Sequence, residues 1–168
     1  MIEVDRGISS LRGDKPIMQQ TESTKAPGKA DATWLLLFAS WIVALTATLG
    51  ALFIGEVMGQ APCVLCWHQR VFMFPLAVIL AVACFRSDAG VWRYALPLTL
   101  LGWLIAAYHM LQYVGVIPAA LLPCTAGGPS CSGEGMTILG GLPIPALSLL
   151  AFTAIAVLLT LTARRPSP

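Results

Sequence analysis

The sequence predicts an all-α integral membrane protein, a bundle of four transmembrane helices with two external loops that carry cysteines. Three observations point to it. Of the 168 residues 57% are hydrophobic and only 11% charged, with a mean hydropathy of +0.79, well outside the balance of a soluble domain. Four apolar runs are long enough to cross a hydrocarbon core of about 30 Å. The basic residues gather on one side of those runs, as oriented insertion requires.

In chain order, residues 1–31 mix charges with Ser, Thr, Gly and Pro and show no apolar periodicity, which predicts a disordered cytoplasmic tail. A cleaved signal peptide is not expected, because the polar stretch is long for a leader and the next run is long enough to span. A four-helix membrane domain is expected over residues 32–165, with spans at about 33–54, 67–85, 94–117 and 142–163. The second is strictly apolar only from Val71, so its polar first turn, Trp67 to Arg70, lies in the interface. Arg6, Arg12, Lys15, Lys25 and Lys29 precede the first span. Arg86 and Arg93 separate the second from the third, and Arg164 and Arg165 follow the fourth. Both termini and the middle loop are therefore expected in the cytoplasm, leaving Gly55 to Cys66 and Pro118 to Gly141 as external loops. Of the ten cations, Arg70 alone falls on the outer side. Trp34, Trp92 and Tyr94 near the inner ends, and Trp67 near the outer end, suit aromatic belts.

Four of the five cysteines, Cys63, Cys66, Cys124 and Cys131, fall in the external loops, where an oxidising exterior lets disulfides persist. Cys84 is eighteen residues beyond Cys66 on the same expected helix. At 1.5 Å per residue that is about 27 Å, too far to pair, so it is read as an apolar filler. Gly127, Gly128 and Pro129 between Cys124 and Cys131 supply turn chemistry that can bring those two sulfurs together. Static staples are one account of the two pairs, but a Cys-x-x-Cys ring constrains little of the unfolded chain, and reactivity explains it better.

The surroundings of Cys66 support reactivity. A helix start beneath the pair supplies unpaired N–H groups, and Arg70, one turn further on, supplies a cation on the same face. Both lower a thiol pKa. His68 and Gln69 are weaker candidates for contacting a ligand carbonyl. His109 lies inside the third span with Gln112 three residues on, sharing a face where hydrocarbon would leave both unsatisfied. Flavin, nucleotide and P-loop signatures are absent from the sequence.

The segment Pro62-Cys63-Val64-Leu65-Cys66-Trp67-His68-Gln69-Arg70 resembles the hallmark of the DsbB/BdbC disulfide bond formation proteins, four-helix membrane quinone reductases. The second cysteine pair between spans three and four and Gly141-Leu142-Pro143-Ile144-Pro145 at the last span fit the same order, and the short spacing of the second pair resembles the BdbC branch. The resemblance implies a relay in the bacterial cytoplasmic membrane. Electrons pass from an extracytoplasmic thioredoxin-fold oxidase of DsbA/BdbD type to Cys124 and Cys131, then to Cys63 and Cys66, then to ubiquinone or menaquinone. It implies that Cys124 takes the partner's attacking thiolate and Cys131 passes the exchange inward. Cys63 exchanges with the second pair, Cys66 is the quinone-proximal thiolate, and Arg70 is the cation beside the quinone. His109 is a provisional counterpart of a helix-three residue near the quinone. No metal is expected; the alternatives are a four-cysteine zinc site and a disulfide-stapled membrane protein without catalysis, and neither accounts for Arg70.

Overall fold

The computed structural model describes residues 29–117, 137–138 and 141–165. Cys124, Cys131 and most of the expected tail lie outside the described residues.

Four long helices make up the fold: α1 (Lys29–Leu52), α2 (Val64–Arg86), α3 (Trp92–Tyr113) and α4 (Ile144–Ala163). All four are long and apolar enough to cross a membrane, and the protein is a multi-pass membrane protein. Each helix packs against two neighbours, so α1, α2, α3 and α4 close a ring in chain order. Exposed Leu49, Val78, Phe85, Leu104, Leu150 and Val157 face outward. Such a surface is costly in water and suited to lipid.

Helix ends differ from the expected spans by a few residues, each for a local reason. α1 begins at Lys29, inside the stretch expected to be tail, and after Leu52 widens into a π-helical turn, Phe53–Val57. There the Met58 N–H donates to the Phe53 carbonyl at 3.1 Å, one residue further than an α-helix allows. α2 begins one turn before Trp67, because the Cys63 side chain caps it by accepting from the Cys66 N–H. Cys66 is thus in the first turn of the helix rather than in the preceding loop. Ser87, left-handed at φ 51°, ends α2, and Asp88 caps the short 3-10 turn Ala89–Val91 that leads into α3. α3 stops at Tyr113, and Gly115 turns the chain at φ 78°. Before α4 a short antiparallel hairpin pairs β1 (Thr137–Ile138) with β2 (Leu142–Pro143).

Several buried hydroxyls use their own helices. The hydroxyls of Ser40, Thr99 and Thr162 donate to carbonyls four residues back, the arrangement that removes unpaired donors from hydrocarbon. Between helices, Trp103 Nε1 donates to Thr153 Oγ1 at 2.9 Å, joining α3 to α4. The same two helices approach closely at Gly102, where an added Cβ would collide with the ring of fully buried Phe152. Small residues permit this kind of approach, which substitutes in lipid for a hydrophobic driving force.

Candidate functional site

The site forms at the N-terminal end of α2, where a helix start, a π-turn and two buried polar side chains converge. Pro62 has no N–H, and Cys63 after it is extended at ψ 168°, the backbone of an N-cap. Its sulfur therefore accepts the Cys66 N–H at 3.2 Å. The same geometry sets Cys63 Sγ 2.7 Å from Cys66 Sγ, and neither cysteine is in a disulfide here. Cys63 is buried while Cys66 is partly exposed.

The hydrogen bonds favour negative charge on Cys63. Donation from the Cys66 thiol lowers the Cys63 pKa most. Burial opposes it, His109 and the Cys66 N–H add to it, and the result is a thiol held at about 5 against an ordinary 9.0. The sequence points to Cys66 as the sulfur over the helix N-terminus; the structure gives that place to Cys63. The reason is capping geometry, since the N–H of the third helical residue turns back toward the cap residue's side chain.

His109 is fully buried on α3, and its Nε2 lies 3.9 Å from Cys63 Sγ. The amide of Gln69 donates to its Nδ1 at 3.1 Å, which leaves the ring proton on Nε2, facing the sulfur. Gln112, the partner suggested by helix periodicity, instead donates to the Tyr108 hydroxyl at 3.4 Å. Gln69 is the residue that the sequence underrated. Its signal was present, for it lies three residues after Cys66 and so shares that face of α2. His68 points away, donating through Nδ1 to the Val64 carbonyl at 2.8 Å on an exposed face.

Arg70 reaches across to α1. Its Nη2 donates to the Ala51 carbonyl at 2.6 Å, and its guanidinium lies 5.6 Å from the centre of the Trp67 ring. Gly55, in the π-turn, leaves room for it, since a Cβ there would stand 3.1 Å from Nη2. Thus a cation at membrane depth is held by a carbonyl and an aromatic face.

Between α1, α2 and α4 is a cavity of about 490 Å³. Cys63, Cys66, Gln69 and Arg70 contribute to its wall, and apart from Thr46, Gln60 and Ser148 the rest is apolar, including Met73 and Phe152. Ile138 of the hairpin also borders it, whereas α3 contributes nothing. His109 accordingly does not line the cavity and touches the cysteine pair from α3. A space of this size, largely apolar with a few polar groups in its wall, is of the kind that holds a small ligand. The Sγ atoms of Cys63 and Cys66 and a ring nitrogen of His109 also lie within 4.8 Å of one another, close enough to share one metal ion.

Known proteins agree on what this arrangement belongs to. The family profile "Disulfide bond formation protein DsbB" matches residues 30–162. The chain is 63% identical over 142 residues to a probable disulfide formation protein of Metapseudomonas resinovorans, covering 84% of this chain and 99% of that one. It is 40% identical over 127 residues to disulfide bond formation protein C of Bacillus subtilis, covering 76% and 91%. A probable disulfide formation protein of Deinococcus radiodurans is 42% identical over 131 residues, covering 74% and 86%. No solved structure matches. A four-helix membrane bundle with a capped Cys-x-x-Cys at the mouth of an apolar cavity, and matches of this extent, lead to one statement: the chain belongs to the DsbB family of disulfide bond formation proteins.

Proposed function

We propose that this protein reoxidises an extracytoplasmic thioredoxin-fold oxidase and delivers the electrons to a membrane quinone, ubiquinone or menaquinone, through Cys63 and Cys66. The observation that carries this reading is that the redox-capable pair and the Arg70 guanidinium face one apolar cavity of about 490 Å³. A soluble electron acceptor would not need such a chamber; a lipid-borne carbonyl compound would.

When bound, the quinone supplies a two-electron, two-proton acceptor. The chain's own groups do the rest. Arg70, fixed by Ala51 and Trp67, is the donor for a head-group carbonyl. Cys66, the more exposed residue of the pair, reacts toward the cavity, and Cys63 at 2.7 Å is the base within reach of its proton. His109 Nε2–H, oriented by Gln69, holds charge on Cys63 while that proton is shared. We assign His109 to this positioning role rather than to the quinone itself.

Cys124 and Cys131 are proposed as the inlet, with Cys124 receiving the partner's thiolate and Cys131 passing the exchange to Cys63. Both termini are placed in the cytoplasm on the strength of the cation distribution, with residues 1–31 as a tail and residues 32–165 as the membrane domain, in a bacterial cytoplasmic membrane. For a two-electron couple about 30 mV corresponds to roughly 1.4 kcal/mol, so a quinone modestly more oxidising than the cysteines makes the relay directional.

The test is turnover in detergent with a reduced thioredoxin-fold partner and added quinone. Continuous quinol formation that stops in Cys66→Ser supports the assignment. Turnover that survives this substitution places the outlet elsewhere.

A further inference from the structure

The mechanism uses Cys63, Cys66 and His109 as a proton-sharing group, but their donor atoms also make a ligand set. Two sulfurs and an imidazole nitrogen lie within 4.8 Å of one another, come from two different helices, and have a hydrogen-bonded residue behind the imidazole. Thiolate and imidazole donors suit a d10 cation such as Zn²⁺.

We propose that in the reduced protein Cys63, Cys66 and His109 form a three-ligand zinc site that disappears when the pair is oxidised. Zinc then acts as a reversible, redox-state-selective inhibitor. It binds the dithiol and withholds both sulfurs from exchange. The site differs from a four-cysteine site, since it uses neither Cys124 nor Cys131.

The geometry requires little movement. Zn–S bonds of about 2.3 Å and Zn–N bonds of about 2.0 Å at tetrahedral angles place the ligand sulfur and nitrogen about 3.5 Å apart. Cys63 Sγ and His109 Nε2 are 3.9 Å apart already. The two sulfurs must open from 2.7 Å to roughly 3.7 Å. Cys66 borders the cavity, so its side chain has space on that side. Ligation through Nε2 needs the ring proton on Nδ1, and Gln69 serves that tautomer too, because a half-turn of its amide offers Oε1 as the acceptor. Binding displaces the Cys66 thiol proton to solvent, and the two thiolates offset the 2+ charge of the ion. Because Cys63 and Cys66 line the cavity and His109 does not, the fourth coordination position opens on the cavity, which is also the access route. Arg70 stays on its Ala51 carbonyl and is not a ligand.

The proposal needs a reducible Cys63–Cys66 pair but not quinone chemistry, so its test is a binding measurement. Full-length protein carrying Cys124→Ser and Cys131→Ser is reduced in detergent with a phosphine and titrated with Zn²⁺ against a chromophoric chelator. Parallel samples take Co²⁺, for its thiolate charge-transfer band. About one zinc per reduced chain is expected, no binding after oxidation, and recovery after re-reduction of the same sample. Gln69→Leu should weaken binding roughly tenfold to a hundredfold, and His109→Gln at least as much. The oxidation arm needs no further variant, so a misfolded mutant cannot decide the outcome. Absence of zinc from the reduced protein, equal zinc in both redox states, or unchanged affinity in His109→Gln overturns the proposal. Quinol formation measured without zinc reports separately on the proposed function.

Discussion

Gln69 on α2 and His109 on α3 join at 3.1 Å inside the bundle, and that one contact determines which nitrogen His109 presents to Cys63. Breaking it should act on the sulfur at a distance. In Gln69→Leu the imidazole loses its fixed tautomer and a buried nitrogen loses its partner, at a cost of about 1 to 3 kcal/mol in stability. The midpoint for ionising Cys63 should rise. Thermal unfolding together with thiolate absorbance against pH checks both effects.

The reduced protein should contain a thiolate at neutral pH. Cys63 is lowered from 9.0 to about 5, chiefly by the Cys66 thiol, so thiolate absorbance should titrate with a midpoint near 5 and move upward in Cys66→Ala. The sign for stability follows from linkage. A depressed thiol pKa stabilises the reduced fold in full above 9.0; that contribution declines as pH falls and is gone below about 5. A single midpoint near 9 in the wild type would contradict the arrangement.

Gly55 and Arg70 should act as a unit. Gly55→Val places a side chain where the guanidinium stands, 3.1 Å from the position of a Cβ, and displaces it from the Ala51 carbonyl. Arg70→Ala removes it. Under the proposed function both raise KM for quinone by about tenfold or more, and the double variant resembles the singles rather than their sum. Steady-state kinetics at several quinone concentrations provides the measurement.

Gly102 tests the bundle independently of the chemistry. Gly102→Ala forces the Phe152 ring to move or α3 and α4 to separate, which should cost about 1 to 3 kcal/mol. Thermal unfolding in detergent should show the loss, whereas Gly50→Ala, where a Cβ meets nothing within 4 Å, should be close to neutral.

The spans were legible because hydrocarbon leaves so few ways to satisfy a backbone that twenty apolar residues mean a helix. Their ends were less legible. A helix start beneath the cysteine pair was legible, but the cap that fixes it at Val64 was not, because a cysteine is not an ordinary cap. Arg70 stood out by charge alone, yet its partner Ala51 depends on a π-turn that has no sequence mark. His109 and Gln69 were each conspicuous as polar residues within spans. That they face each other is a property of how α2 meets α3, and one helix's periodicity, which paired His109 with Gln112, could not supply it.

Under the proposed function, Cys63 and Cys66 deliver two electrons into the cavity beside Arg70. Its most direct test is single-turnover mixing of the pre-reduced Cys124→Ser, Cys131→Ser protein with a short-chain ubiquinone, following quinol and thiol content together. One quinol should form and two thiols should be lost per chain, with neither change once Cys66→Ser is added. Thiol loss without quinol, or quinol formation in the protein lacking Cys66, would contradict it.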